Sequence, residues 1–279
     1  MEFIKYHGLG NDFLVFEHGL EGARSLTADE VVAICDRRFG VGADGTVFAR
    51  PSAVAALRME LLNSDGSTPE MCGNGIRCLV AYAVDHLGFD ANPLAVETPA
   101  GVLDCAWTRE ASGRVDTVRV SMGRPTFDRA KIPVAGEGDA LELEVSTPAR
   151  SFVGTGVGTG NPHYVIFGDA RRETAETFGP ALERHPIFPR GTNVEFAEVV
   201  APDHIRLTVW ERGCGLTMAC GTGATATVVA AVRAGHVHAD RPVRVTLPGG
   251  DLAITVTAAL DAAFMEGPAR EVFRGRIDL

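Results

Sequence analysis

Two segments of this 279-residue chain read as copies of one another, and that duplication limits the possible folds more than any other feature. Met71-Cys72-Gly73-Asn74-Gly75 opens an apolar stretch from Ile76 to Leu87, and Ala219-Cys220-Gly221-Thr222-Gly223 opens another from Ala224 to Ala234. The cysteines lie 148 residues apart. Gly8-Leu9-Gly10-Asn11 recurs as Gly158-Thr159-Gly160-Asn161 at an offset of 150, and Gly42-Ala43-Asp44 as Gly191-Thr192-Asn193 at 149. Asn63 and Glu211 each stand nine residues before their cysteine. Blocks in one order at a near-constant offset predict a single duplication, and no shorter period suggests a solenoid.

Local signals fill in the elements. Leu26-Thr27-Ala28-Asp29-Glu30-Val31 has capping-box spacing at Thr27 and Glu30, with Leu26 and Val31 as a staple, and predicts a helix to about Arg38, before Gly40. After Cys72, Ile76, Leu79, Val80, Ala83, Val84 and Leu87 follow helical spacing up to Gly88. Ala224–Ala234 is rich in Thr and Val and could be a strand by propensity, but the repeat decides for a helix ending at Gly235. Its apolar character on all sides predicts burial. Alternation predicts strands at Val115–Met122, Ile205–Trp210, Val243–Leu247, Leu252–Thr257 and Val272–Ile277. The expectation is an α+β protein of two pseudo-symmetric domains from an internal duplication, each a curved β-sheet or barrel around a central helix. The first half is expected over 1–122, completed by 264–279, and the second over 123–263, with a link near Gly123-Arg124-Pro125.

Composition narrows the function. A net charge of −10, with no Lys/Arg run to offset it, argues against nucleic acid as a partner. No apolar stretch is long enough to span a bilayer, and no signal peptide precedes the strand-like start at Met1. Six cysteines in a chain this long fit free thiols in a reducing cytoplasm better than a disulfide framework.

Cys72 and Cys220 each sit on a Gly-x-Gly turn at a helix start, where free N–H groups and the helix dipole favour a thiolate. Burial as a small core residue suits Cys35, Cys78, Cys105 and Cys214, but not these two. Cys72 with Cys78, and Cys214 with Cys220, have five intervening residues, which is not zinc-ligand spacing, so no metal is expected. A redox pair would more typically be Cys-x-x-Cys. Acid–base chemistry remains: one thiolate removes a proton from a carbon and a thiol on the other face returns one, inverting the centre. The N–H groups around Gly73-Asn74 and Gly221-Thr222 can grip a substrate carboxylate as negative charge flows into it, and no cofactor is then required. Arg212, next to the second cysteine loop, suits a carboxylate through its planar fork, and His163 is a candidate pocket residue. The glycine loops lack the dinucleotide fingerprint and any Walker lysine.

The motifs together resemble diaminopimelate epimerase. They are His7-Gly8-Leu9-Gly10-Asn11-Asp12-Phe13, Asn63 with Asp65-Gly66, Glu70-Met71-Cys72-Gly73-Asn74-Gly75-x-Arg77-Cys78, Gly160-Asn161-Pro162-His163, Gly191-Thr192-Asn193-Val194 and Trp210-Glu211-Arg212-Gly213-x-Gly215, through Ala219-Cys220-Gly221-Thr222-Gly223. They span almost the whole chain. Proline racemases carry a similar cysteine pair, but typically with histidine where Asn74 stands and proline before the second cysteine. The phenazine-type isomerases of this fold lack the pair. The resemblance implies cofactor-independent interconversion of LL- and meso-diaminopimelate, with Cys72 and Cys220 as acid and base. It implies that Gly73, Asn74, Gly221 and Thr222 hold the reacting carboxylate and that Asn63, Asn161, Asn193 and Arg212 hold the distal centre. Asn11, His163 and Glu211 complete the pocket, and the family is usually dimeric. Gly45 departs from the family's glutamine, Leu216 from a frequent glutamate, and Glu195 from a frequent asparagine. A racemase of another amino acid such as histidine, and a non-catalytic ligand-binding or thiol-redox protein, are the competing readings.

Overall fold

The computed structural model describes residues 1–16, 24–69 and 71–278, so Glu70 of the first cysteine motif lies outside the described residues. The chain divides into two units, Met1–Val120 with Glu266–Leu279, and Ser121–Met265.

In the first unit, β1 (Glu2–Gly8) turns into β2 (Asn11–Phe16) through Leu9 and Gly10. Both have positive φ, the two-residue geometry that matches the twist of a hairpin. α1 (Ala28–Cys35) starts at the expected capping box. The Thr27 hydroxyl accepts the Glu30 N–H at 3.3 Å, and the Glu30 carboxylate accepts the Thr27 N–H at 2.9 Å. Leu26 and Val31 are buried with Phe3, Phe16 and Phe48. The helix stops three residues short of Arg38. Asp36 turns extended, and its carboxylate accepts the N–H groups of Arg38 and Phe39, each at 2.7 Å, a local alternative to another helical turn.

Next come β3 (Gly45–Arg50), β4 (Leu57–Asn63), α2 (Gly73–His86), β5 (Leu94–Thr98), β6 (Gly101–Arg109) and β7 (Val115–Ser121). β2–β3 and β4–β5 are parallel, and β3–β4, β5–β6 and β6–β7 antiparallel. α2 packs against β1, β2, β3, β4 and β6, and every residue from Gly73 to Val84 is buried. It is the core of its unit, the expected central helix.

The second unit holds β8 (Leu143–Ser146), β9 (Ser151–Gly158), β10 (Pro162–Phe167), α3 (Arg172–Glu183), β11 (Asn193–Ala201), β12 (His204–Glu211), β13 (Gly215–Leu216), α4 (Gly221–Arg233), β14 (Val243–Leu247) and β15 (Gly250–Val256). β16 (Ala263–Pro268) leads to β17 (Arg270–Arg276), which pairs antiparallel with β1. The strand diagram of the first unit is repeated: β10–β11 and β12–β14 are parallel, β11–β12 and β14–β15 antiparallel. α4 packs against β9, β10, β11 and β15 and is buried from Gly221 to Ala231. Its threonines fit a buried helix because they bond back onto it. Thr225 Oγ1 donates to the Gly221 carbonyl at 2.9 Å and Thr227 Oγ1 to that of Gly223 at 2.8 Å.

Two features were not legible in the sequence. α3 contains Gly179 and Pro180, which mask it. Gly179 is there for packing: a Cβ would stand 2.4 Å from the Trp210 ring, whose Nε1 donates to Glu183 at 2.8 Å. The alternating glycines of β9 are likewise a packing surface. A Cβ at Gly156 or Gly158 would meet Ile132 at 2.9 and 2.3 Å.

Candidate active site

Cys72 and Cys220 do the same local job. Each is the N-cap of its helix with extended φ/ψ, and each sulfur accepts the N–H three residues on, at Gly75 and Gly223, at 3.3 Å. Sulfur thus stands where serine or aspartate usually caps, at the positive end of the helix dipole. Cys72 is half-buried and Cys220 buried.

Around Cys72 the side chains form a directed chain of hydrogen bonds. Arg77 is fully buried, one turn into α2; its Nη1 donates to the Gly73 carbonyl at 3.2 Å and its Nη2 to Asn74 Oδ1 at 2.9 Å. Asn74 Nδ2 donates to Asn11 Oδ1 at 2.9 Å, and Asn11 Nδ2 to Asp44 Oδ2 at 2.7 Å. Arg37 bridges Asp44 and Asp12, and Lys5 reaches Asp12 at 2.7 Å. Burial pulls the Arg77 guanidinium down to about 10, which leaves it charged at neutral pH; the thiols of Cys78 and Cys72 act on it in the opposite direction. Asn63, at the end of β4, is tied into a turn, with Nδ2 donating to Ser67 Oγ at 3.0 Å. At Gly45 a Cβ would stand 2.5 Å from the Leu62 carbonyl, so the backbone here leaves no room for the family's glutamine without a shift.

The surroundings of Cys220 are instead lined by carboxyl groups. His163 Nδ1 lies 2.6 Å from Glu195 Oε1 and Nε2 2.7 Å from Asn161 Oδ1. Glu195 is fully buried, and its Oε2 is without a hydrogen-bond partner among the described residues. Burial pushes the carboxyls of Glu195 and Glu211 up, His163 opposing this at both and the Thr217 hydroxyl at Glu211. Burial, then Glu211 and Glu195, hold the Cys220 thiol well above its ordinary range. At Cys220, burial and the neighbouring Glu211 and Glu195 therefore oppose the thiolate that the helix terminus favours. Thr222 Oγ1 lies 3.5 Å from the sulfur.

Asn193 is a buried cross-tie. Its Nδ2 donates to the Pro162 carbonyl at 2.8 Å, and its Oδ1 accepts the Arg212 N–H at 3.0 Å. The Arg212 stem runs over Gly191, where a Cβ would be 3.3 Å from Cδ. Cys35, Cys78 and Cys105 are buried as expected, but Cys214 is exposed, because it rides the turn between Gly213 and Gly215, both at positive φ. The first unit thus gathers Asn11, Asn63, Cys72, Gly73 and Asn74, and the second Asn161, His163, Asn193, Glu211, Arg212, Cys220, Gly221 and Thr222. Arg77, Asp44, Thr217 and Glu195's role beside Cys220 were missed. Asp44 had a signal, since it lies within a recurring block, and Arg77 stands in the motif of the first cysteine. Among the described residues, no group of three or more His, Cys, Asp or Glu is placed to hold a metal.

The family model for diaminopimelate epimerase matches residues 3–127 and 155–272. The chain belongs to the diaminopimelate epimerase family. The diaminopimelate epimerase of Carboxydothermus hydrogenoformans is 45% identical over 278 residues, covering 99% of this chain and 98% of that protein. That of Desulforudis audaxviator is 47% identical over 282 residues, covering 99% of each. Among solved structures, a hydroxyproline epimerase from Agrobacterium vitis matches with TM-score 0.71 at 16% identity, covering 99% of this chain and 90% of that one. A phenazine biosynthesis protein of the PhzF family from Bacillus anthracis matches with TM-score 0.73 at 15% identity, covering 100% and 99%. These two show a shared fold. The family's α+β, two-domain architecture is that of this chain.

Proposed function

We propose that this diaminopimelate epimerase family member interconverts LL- and meso-diaminopimelate on the lysine route, as an isomerase whose acid and base are Cys72 and Cys220. The observation that carries this reading is the pair of cysteine N-caps, each sulfur seated on the free N–H groups of a buried helix. A thiolate takes the α-proton, the electron pair flows into the α-carboxylate, and the other thiol delivers its proton to the opposite face. The centre inverts, the thiols exchange roles, and atoms and charge balance without a cofactor. The backbone N–H groups of Gly73, Asn74, Gly221 and Thr222 hold the reacting carboxylate, where their donors strengthen as charge develops. Asn63, Asn161, Asn193 and Arg212 hold the distal centre, with Asn11, His163 and Glu211 completing the pocket. The halves 1–122 with 264–279, and 123–263, supply one thiol each. The protein works as a homodimer in the cytoplasm; no helix among the described residues is long and apolar enough to cross a membrane.

The test is incubation with LL-diaminopimelate in heavy water under reducing conditions. Appearance of the meso isomer, with deuterium at one α-carbon, is the expected result. Exchange into another amino acid but not diaminopimelate would assign a different racemase, and no exchange at all would remove the enzymatic reading. Sedimentation at micromolar concentration tests the dimer.

A further inference from the structure

The two helix mouths share a backbone but not a charge. Arg77 stands five residues after Cys72, and the corresponding position after Cys220 is Thr225. Both side chains bond the first carbonyl of their helix, Arg77 to Gly73 and Thr225 to Gly221. Only the first brings a cation. Its guanidinium is buried, held also by the Pro268 carbonyl at 3.3 Å, and a Cβ on Gly8 would stand 2.8 Å from Nη2. Close approach of β1 therefore fixes it in place.

That cation also gives the polar chain a direction. A guanidinium only donates and a carboxylate only accepts. Arg77 occupies Asn74 Oδ1, so Asn74 must donate through Nδ2, and Asn11 must receive that bond on Oδ1 and pass its own Nδ2 to Asp44. Each amide has a single orientation consistent with both ends.

We propose that Arg77 is a positioning residue, which sets the amide orientation of Asn74 and Asn11 and serves as the buried counter-charge to a Cys72 thiolate. Other ionisable groups near this mouth, among the described residues, are neutral or engaged elsewhere. Cys78 on α2 is neutral, its thiol pushed up to about 12 by burial. His7 on β1 accepts the Gly10 N–H at 3.1 Å. Lys5 on β1, Asp12 on β2, and Arg37 and Asp44 ahead of β3 pair with one another. On β4, Glu60 pairs with Arg50, and Leu61 lies against the turn at Gly75. The inference rests on the acid–base reading of Cys72 given above.

The experiment measures iodoacetamide alkylation of Cys72 against pH, by peptide mass spectrometry in a Cys220→Ser background, and separately kcat and KM for LL-diaminopimelate with Cys220 present. Arg77→Met should move the alkylation midpoint upward by about one pH unit or more, because the thiolate loses its counter-charge. Arg77→Lys should keep the midpoint but lower kcat/KM by about tenfold, since an ammonium holds the charge without the fork that orients Asn74. Asp44→Ala, at the rim of the chain, should raise KM several-fold and leave alkylation as in the parent. A folded Arg77→Met protein with the parent midpoint, or Arg77→Lys with parent kcat/KM, would overturn the proposal. If Arg77→Met does not fold, the lysine and Asp44 variants decide by the same criteria. The alkylation arm uses no substrate, so failure to turn over diaminopimelate would leave it readable.

Discussion

Replacing Gly223 by alanine puts one methyl group where the structure has no room for it. In an ordinary helix this change stabilises by up to about 1 kcal/mol. Here the new Cβ would stand 2.9 Å from Glu195 Oε1 and 3.1 Å from Cys220 Sγ. Neither neighbour yields easily: Glu195 is fully buried and held by His163 at 2.6 Å, and the Cys220 sulfur caps the helix at 3.3 Å from the Gly223 nitrogen. Overpacking of this kind costs about 1–3 kcal/mol, so the net effect should be destabilisation of up to about 2 kcal/mol. The catalytic effect should be larger. Displacement of a reacting group by up to about 1 Å costs as much as ~10²-fold, so kcat/KM should fall by at least about tenfold. Gly75→Ala is the internal comparison. Its nearest neighbour, at 2.3 Å, is Leu61 Cδ1, the far end of a flexible chain, and its contact to Cys72 Sγ is 3.2 Å. It should cost less in both measures. Urea denaturation and steady-state kinetics on the two variants decide the matter. A Gly223→Ala protein that is about 1 kcal/mol more stable, with parent kcat/KM, would refute the claim that the Cys220 mouth is sterically saturated.

Cys72→Ala and Cys220→Ala should each lower epimerisation by about 10²- to 10⁴-fold with the fold retained by circular dichroism, since each removes an acid or a base; near-normal turnover in either would reject the two-thiol mechanism. Arg212→Lys should raise KM for diaminopimelate strongly, because an ammonium cannot reproduce the bidentate fork, and unchanged KM would place Arg212 outside the distal subsite. Cys78 and Cys105 have thiols pushed from 9.0 to about 12 by burial, so the folded chain keeps protons that the unfolded chain releases above pH 9. Stability should fall as pH rises through that window, by about 1.4 kcal/mol per buried thiol at pH 10. Cys105→Ala should make the drop between pH 8 and pH 10 smaller by that amount, and an unchanged drop in urea titrations would contradict the assignment.

The fold was legible where one residue type has one physical use. Thr27 with Glu30, the apolar spacing after Cys72 and the glycine stops at Gly88 and Gly235 each name an element end, and the structure places them there. α4 could be read only through the repeat, because its threonines are intrinsically poor in helices and succeed by bonding to their own backbone. α3 was illegible because Gly179 is explained by the Trp210 ring, a contact with a residue 31 positions away. Asp36 ended α1 early through two side-chain bonds that no periodicity encodes. Cys214 was misjudged for a similar reason: its exposure follows from the φ values of its flanking glycines, not from its own chemistry.

The site divides along the same line. Positions whose role belongs to the backbone, such as Cys72, Gly73, Cys220 and Gly221, recur in both halves, because a capped helix mouth is a local structure that duplication copies intact. Positions whose role is electrostatic do not recur: Arg77 answers to Thr225, and Asn63 to Glu211. Two identical mouths would share one proton equally, so either sulfur could begin as the thiolate. A buried guanidinium on one copy and buried carboxyls on the other break that degeneracy. On the proposed two-thiol reading, the repeat locates the chemistry and the departures from the repeat bias its charge states. Thr46 in the first unit and Glu195 in the second are both fully buried, and each has an oxygen without a hydrogen-bond partner among the described residues. One remains a neutral hydroxyl, while the other is a titratable group that His163 engages at 2.6 Å beside Cys220.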